Sequence, residues 1–186
     1  LFFLIFLSSI FNFQISEKYK DKFRIKKINI NGLSNNEKKI VESELSNLKN
    51  INIFKLDESK ILEKLYKFDF LEKIYVNKVM PSSINFNLAK TTILAKTLIN
   101  GENFYIGQNG KFINSNQLLE KNITSSVFGE FDIDQFLGLQ EILKNLQIDN
   151  NKIEKYYYFK NKRWDLLFSN GLTLKLPSKN IEKSIR

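Results

Sequence analysis

KRWDLLFSNGLTLKL, residues 162–176, is the stretch that decides the fold of the second half of this chain. Alternating apolar residues on both sides of an Asn-Gly pair are typical of a β-hairpin. Because side chains in a strand point alternately to two faces, each strand presents one apolar set. These sets are Trp164, Leu166 and Phe168 on the first strand, and Leu172, Leu174 and Leu176 on the second. The hairpin, including its tryptophan, is therefore predicted to be structural.

The length of the turn determines which residues face each other across this hairpin. A two-residue turn at Asn170-Gly171 would place Phe168 opposite Thr173, which sets an apolar side chain against a polar one. A loop that is one residue longer places Phe168 opposite Leu172, and each opposed pair then lies on the same apolar face. We therefore predict a type I turn followed by Gly171 in the left-handed conformation.

The pattern changes from residue 99, and the rest of the chain predicts hairpins and further strands with one helix, at about residues 134–146. A hairpin turns at Gly110 and a loop closes at Gly129, since glycine is favoured in such turns. A run of three tyrosines and a phenylalanine follows the helix. Consecutive strand residues point to opposite faces, so one half of this run belongs to the core. Tyr157 is our candidate for the half that meets a partner.

The first half of the chain predicts the order strand, helix, helix, strand, strand. The segment FRIKKINING alternates as a strand does and ends at Gly32. Ser34, followed by Glu37 three residues later, is a capping box that begins the first helix. Asp57 caps the second helix, and INIFKL just before it is predicted to be extended. Two strands follow, and the chain reverses between them through Pro81.

The chain opens with the apolar run LFFLIFLSSIFNF. Spanning a bilayer takes roughly 20 apolar residues, so this run is short for a complete transmembrane helix. It could be the core of a signal peptide, a buried helix, or the C-terminal part of a transmembrane helix. No small-residue cleavage site follows, and the next segment is polar and rich in lysine. We favour the third interpretation, a membrane anchor over residues 1–15 with a charged linker at 16–22.

The composition excludes several classes of chemistry. The chain has neither cysteine nor histidine, which removes disulfides, thiolate nucleophiles, Cys/His zinc sites and every histidine-based triad. The net charge is +9, but only three of the 29 basic residues are arginine, the residue that base-reading interfaces favour. Asp132 and Asp134 stand where a helix N-terminus prefers acceptors. No catalytic constellation emerges, and we expect a protein without enzymatic activity, cofactor or metal.

In this order, the segments resemble the FtsQ/DivIB family of bacterial cell-division proteins over residues 1–186. FRIKKINING resembles the first strand of the family's POTRA domain, and FDFLEKIYVNKVMPSSINFNL resembles its later strand pair. Pro81 is kept there, whereas Asp69 and Met80 stand where the family has proline and tryptophan. KRWDLLFSNGLTLKLP is similar to the family's Arg-x-Trp-x-Leu strand, Asn-Gly turn and alternating return strand.

The resemblance implies an α+β fold with an N-terminal transmembrane anchor. A POTRA domain with the order β-α-α-β-β occupies residues 23–97, and an antiparallel β domain with one helix occupies residues 98–186. It implies a bitopic, single-pass protein of the inner membrane, with the bulk of the chain in the periplasm. The family continues with a further helix and a last strand, so we expect the β domain to be truncated at its C-terminus.

The resemblance also implies a function, namely scaffolding of the divisome during septation. The POTRA domain would help to recruit the protein to the septum, and Val76 and Lys78 match positions with that role. The β domain would bind FtsB and, through it, FtsL. FtsK would be a further partner of the protein. No nucleic acid and no small-molecule substrate are expected.

Two alternatives remain open from the residues. The chain could be another POTRA-type protein that binds polypeptides during export, which would need tandem POTRA domains or a following barrel. It could also be a basic RNA-binding module, whose affinity would fall steeply with salt.

Overall fold

The computed structural model describes residues 21–118, 123 and 125–185. Within these residues the chain forms two compact units, the first from residues 21–66 and 73–89 and the second from 67–72 and 90–185. The predicted anchor at residues 1–15 and most of the linker lie outside the described residues. Among the helices that the structure does describe, none has the length and apolar character needed to span a membrane.

The first unit has the predicted order β-α-α-β-β. Its elements are β1 (Lys27–Asn31), α1 (Asn35–Leu45), α2 (Glu58–Leu65), β2 (Leu71–Val79) and β3 (Ser83–Lys90). The three strands form a sheet in the order β1-β3-β2, and β1 runs parallel to β3. As a result β2 lies at one edge of this sheet.

Local hydrogen bonds explain where the two helices begin. The Ser34 backbone N–H donates to Glu37 Oε2 at 2.8 Å, which completes the predicted capping box. The Asp57 carboxylate accepts the backbone N–H groups of the first turn of α2. The prediction that INIFKL is extended was wrong. The Asn52 side chain accepts the Phe54 N–H at 2.9 Å, and this bond starts a short 3₁₀ turn at Ile53–Lys55.

The core of the first unit lies between the helices and the sheet. Its fully or almost fully buried side chains are Ile25, Ile30, Val41, Leu45, Ile53, Ile61, Leu65, Ile84, Phe86 and Leu88. Gly32, just after β1, has φ of +89°, and a Cβ there would collide with the Leu88 carbonyl oxygen. The position therefore excludes every other residue type for two independent reasons. The chain then reverses between β2 and β3 at Pro81, as predicted.

The described residues of the second unit form seven strands. These are β4 (Ile93–Ile99), β5 (Glu102–Gly107), β6 (Phe112–Asn114), β7 (Ser126–Phe128), β8 (Ile153–Tyr158), β9 (Trp164–Phe168) and β10 (Thr173–Leu176). Helix α3 (Ile133–Asn145) joins β7 to β8, and the short helix α4 (Ile181–Ile185) follows β10. The sheet order is β10-β9-β8-β7-β4-β5-β6.

This sheet corrects the prediction of an antiparallel β domain, because it is mixed. Strand β7 runs parallel to both of its neighbours, β4 and β8, while the other pairs are antiparallel. Parallel pairing needs a crossover connection, and α3 supplies it between β7 and β8. The predicted boundary between residues 97 and 98 also falls inside β4. This strand pairs with β5 and β7, so the whole of it belongs to the second unit.

The predicted register of the opening hairpin is confirmed. Leu166 lies opposite Leu174 and Trp164 lies opposite Leu176. The Phe168 N–H donates to the Leu172 carbonyl at 2.9 Å, closing the three-residue loop. Gly171 has φ of +83° and donates its N–H to the Phe168 carbonyl, as the predicted turn requires. The Leu172 N–H in turn donates to Asn170 Oδ1.

Helix α3 packs on one face of the sheet and encloses an aromatic core. Trp164 is 3% exposed, and its ring centroid lies 4.7 Å from that of Tyr158 and 6.0 Å from that of Phe136. Gly129, just after β7, has φ of +110°, and a Cβ there would collide with the Tyr158 carbonyl oxygen. Gly110 lies in the turn between β5 and β6, where its N–H donates to the Gly107 carbonyl at 3.1 Å.

Candidate partner-binding surfaces

The ionisable groups of the described residues do not form a catalytic or metal-binding cluster. No three carboxylates among them lie close enough together to hold a metal ion. The pKa of Asp57 is lowered, chiefly by the hydrogen bond from the Ser59 hydroxyl. The pKa of Tyr156 is raised, because burial disfavours the phenolate. A helix cap and a core hydroxyl explain these shifts, so neither indicates a general acid or base.

Strand β2 of the first unit carries the two residues for which a recruitment role is expected. Val76 and Lys78 point to the same face because they are two positions apart. Lys78 Nζ lies 3.0 Å from Glu58 Oε1 at the start of α2, so this face looks toward the helices. Val76 is half-buried there. Both residues are therefore partly covered by their own unit, and what β2 leaves open is its outer edge.

The opposite face of β2 is more accessible. Tyr75 is 61% exposed and Val79 is 42% exposed, and Met80 in the following turn is 52% exposed. An edge strand of nine residues with exposed apolar side chains is a template for another strand unless something covers it. The described part of the chain places no further strand beside β2. This edge can accept a partner through backbone hydrogen bonds.

Tyr157 lies on the face of the seven-stranded sheet that is opposite α3. It pairs with Phe128, and the two rings stack with centroids 5.3 Å apart and planes 20° apart. Leu98 of β4, which is 59% exposed, lines a hollow of about 150 Å³ together with Phe128. We call Tyr157, Phe128 and Leu98 the apolar row. It crosses three adjacent strands of the sheet.

A second row runs beside the apolar row on the same face. Lys155 of β8 pairs with Ser126 of β7, and Ser126 pairs with Lys96 of β4. We call these three residues the lysine row. Neither of its lysines makes an ion pair with another described residue. The nearest carboxylate along β9 is Asp165, which is 6% exposed and is bound by Arg163 through contacts of 2.9 and 3.2 Å. The row is therefore positive without local compensation.

The sequence predicted only one residue of this surface. Tyr157 was proposed from the alternation of aromatic residues on β8, whereas Leu98, Phe128 and Lys96 were not proposed. They come from β4 and β7, which are about 30 residues apart in sequence and meet through parallel pairing. A strand of three residues such as β7 has no clear periodicity. The remaining structural candidates, from Gly32 to Gly171, lie in turns or in the core as described above.

Comparisons with known proteins find similarity over the first unit and over most of the chain. Residues 23–91 match the family described as "POTRA domain, FtsQ-type". The protein named Cell division protein FtsQ from Rickettsia bellii is 26% identical over 164 residues, and its counterpart from Rickettsia typhi is 25% identical over 164 residues. Each alignment covers 88% of this chain and 61% of the relative. The chain thus spans about three fifths of the length of these relatives.

A solved structure is also similar in part. It is the major extracytoplasmic domain of the bacterial cell division protein DivIB from Geobacillus stearothermophilus. The match has a TM-score of 0.38 and 12% sequence identity, and it covers 51% of this chain and 85% of that one.

Proposed function

We propose that the chain is a member of the FtsQ/DivIB family of cell division proteins and that it is a non-enzymatic scaffold of the divisome. In this proposal residues 1–15 end a single transmembrane helix in the inner membrane. The two described units would lie in the periplasm. The first unit, a POTRA domain, would recruit the protein to the septum, and the second would bind partners of the FtsB and FtsL type.

The observation that carries the proposal is that both units leave strand surfaces uncovered, while no described cluster of residues offers chemistry. In the first unit the surface is the outer edge of β2, next to Val76 and Lys78. In the second it is the sheet face that holds Tyr157. Open strand surfaces fit a protein that assembles other proteins. The proposal needs no cofactor, small-molecule substrate or nucleic acid.

The proposed recruitment role has a physical basis in the position of Val76 and Lys78. Both side chains support β2 from its helix-facing side, and the Lys78–Glu58 ion pair holds the C-terminal half of the strand against α2. A partner strand, for example from FtsK, would need β2 to keep this position while it pairs with the outer edge. In this role the two residues act on recruitment by positioning the edge.

The test is the location of a fluorescent fusion of the full-length protein in dividing cells. We expect a band at the septum for the wild type, and loss of that band for Val76→Asp combined with Lys78→Glu. Tyr157→Ala should leave the band in place but reduce the amount of FtsB that co-purifies. A wild-type fusion spread evenly over the envelope would refute the scaffold proposal.

A matched control separates recruitment from folding. Lys73→Glu changes the charge of an exposed residue on the same strand, at a position that points to the other face. It should keep the septal band, and both variant proteins should keep the wild-type thermal unfolding midpoint within a few degrees. Loss of the band in this control would show that the strand's charge, and not the Val76–Lys78 position, is what matters.

A further inference from the structure

We propose that the face of the seven-stranded sheet opposite α3 binds an acidic amphipathic helix of a partner protein, with the apolar row and the lysine row as its two contacts. This inference rests on the proposed scaffold function, for which it names the partner's chemistry on the second unit. It concerns a sheet face and side-chain recognition, whereas strand addition uses a sheet edge and backbone groups.

The first support is that the apolar row is exposed and that two of its rings stack on each other. Leu98 is 59% exposed and Phe128 is 39% exposed, which is uncommon for large apolar residues at the centre of a sheet. The stacking of Phe128 on Tyr157 holds both rings in place before any partner binds. A rigid apolar surface binds at a lower entropic cost than a mobile one.

The second support is a hollow at one end of the row. It has a volume of about 150 Å³ and is lined by Leu98, Phe128, Asn103 and the lysine-row residues Ser126 and Lys96. This is room for one aliphatic side chain. Anchors that fill such hollows dominate the binding energy of many interfaces. We therefore expect the partner to present a leucine, isoleucine or methionine at this point.

The third support is the spacing of charge. Lys155 and Lys96 are separated by two strand spacings, since both pair with Ser126 of β7. Two spacings are about 10 Å, and two residues seven apart on a helix are also separated by about 10 Å. Acidic residues at positions i and i+7 of a helix can therefore reach both lysines. The apolar row lies two residues further along the strands, roughly 7 Å away, where the next face of the same helix would lie.

Two other occupants fit this face less well than an acidic helix. A second copy of this chain has a net charge of +9 and would bring like charge to the lysine row. RNA would match the charge of the lysine row, but its bases could stack only on the outer faces of Phe128 and Tyr157, because each ring covers the other's inner face. An acidic partner with apolar anchors satisfies both rows at once.

The experiment uses a pair of designed 18-residue peptides and the full 186-residue chain in mild detergent. The acidic peptide forms a helix with leucines on one face and glutamates at i and i+7, and its twin has lysines in place of the glutamates. Fluorescence anisotropy measures both peptides against protein and against detergent alone. We expect the acidic peptide to bind at least tenfold more tightly than its twin, with an affinity that falls as salt rises.

Variants test each row. Leu98→Ser should weaken the acidic peptide about tenfold, as expected for loss of an anchor contact. The double change Lys96→Glu and Lys155→Glu should reverse the preference, so that the lysine twin binds better, and a reversal cannot come from misfolding. The matched control is Lys144→Glu with Lys183→Glu, which makes the same change of charge on the side of the sheet that carries the helices. This control should keep the original preference.

Equal binding of the two peptides, or a preference that the Lys96/Lys155 reversal leaves unchanged, would overturn the inference. So would a concentration-dependent dimer in analytical ultracentrifugation that Leu98→Ser abolishes, or binding of single-stranded RNA that Tyr157→Ala abolishes. Failure here with a septal band intact would remove the helix site and leave the scaffold proposal standing. Peptide binding without a septal band would leave the helix site standing and remove the scaffold proposal.

Discussion

The two units offer partners different kinds of surface. The first has an open strand edge at β2, where recognition would run through backbone N–H and C=O groups that every sequence carries. The second has an exposed patch at the centre of one sheet face, where recognition would run through particular side chains of the apolar and lysine rows. Single substitutions should therefore affect the face strongly, and should affect the edge only when they move the strand itself. The following predictions test this difference.

The largest loss of stability is expected when a core side chain on the opposite side of this sheet is removed. Trp164 lies on β9, next to β8 of the apolar row, and packs against Tyr158 and Phe136 on the core side of the sheet. Trp164→Ala should lower the free energy of unfolding by about 3–5 kcal/mol, because it leaves a cavity in an aromatic core. Urea unfolding followed by circular dichroism measures this loss.

Leu98→Ser is the natural comparison for that variant. Its side chain is mostly exposed, so the unfolding midpoint should change little. If Leu98→Ser destabilised the protein as much as Trp164→Ala, Leu98 would be a core residue and the face would not be a free surface.

The second prediction concerns the loop that follows β7. Gly129→Ala should cost about 2 kcal/mol, because φ is +110° and the new Cβ would collide with the Tyr158 carbonyl oxygen. The strain acts directly beside Phe128, so binding of the acidic peptide should weaken together with stability. Thermal unfolding and peptide anisotropy on the same variant measure both. Gly101→Ala is the control, since its φ is also positive but no atom lies within 4 Å of the added Cβ.

The sequence predictions were accurate for local elements but not for most of the apolar row, and the reason is physical. The hairpin register, the capping box at Ser34 and the order of elements in the first unit depend on contacts close in sequence, where periodicity and turn chemistry are informative. The apolar row joins β4, β7 and β8 through parallel pairings that only a crossover can make. Its residues carry no local signal, so only Tyr157 was found.

The mixed character of the sheet could not be predicted for the same reason, since it depends on pairings between distant segments. Strands β8 to β10 form a meander that alternation and the Asn-Gly turn predict well. Strand β7 has three residues, and its two parallel neighbours cannot be inferred from them. The domain boundary was misplaced within β4 for a related reason, since that strand follows β3 closely in sequence but pairs in the other sheet.

The third prediction concerns pH and the core of the second unit. The pKa of Tyr156 is raised above its ordinary value of 10.0, chiefly by burial, and the nearby Gln140 side chain opposes this in part. Below about pH 10 the hydroxyl is protonated in both the folded and the unfolded chain, and its contribution to stability is fully present. Above that pH the unfolded chain releases the proton first, so the free energy of unfolding should fall as pH rises.

Tyr156→Phe removes this titration. The variant should be at most about 1 kcal/mol less stable at pH 7, where only the buried hydroxyl is removed, but its stability should decline less steeply between pH 10 and 11. Urea unfolding at several pH values measures the two slopes. Tyr75→Phe, at a residue that is 61% exposed, should retain the wild-type slope. Parallel slopes for wild type and Tyr156→Phe would show that this hydroxyl does not govern the alkaline loss of stability.

The smallest effect on stability is expected at the β2 edge of the first unit. Substitutions there test whether a residue positions the strand without contributing much to folding. Lys78 Nζ lies 3.0 Å from Glu58 Oε1, and both side chains are partly exposed to solvent. Such pairs contribute about 0.5 kcal/mol, so Lys78→Gln and Glu58→Gln should each leave the unfolding midpoint almost unchanged. If the ion pair holds β2 in place for a partner strand, both variants should weaken the septal band equally, since each breaks the same contact. Exchanging the two residues, Lys78→Glu with Glu58→Lys, should restore the band. A loss that only Lys78→Gln produces would instead mean that the lysine contacts the partner directly, and the edge would then depend on a particular side chain, as the face of the second unit does.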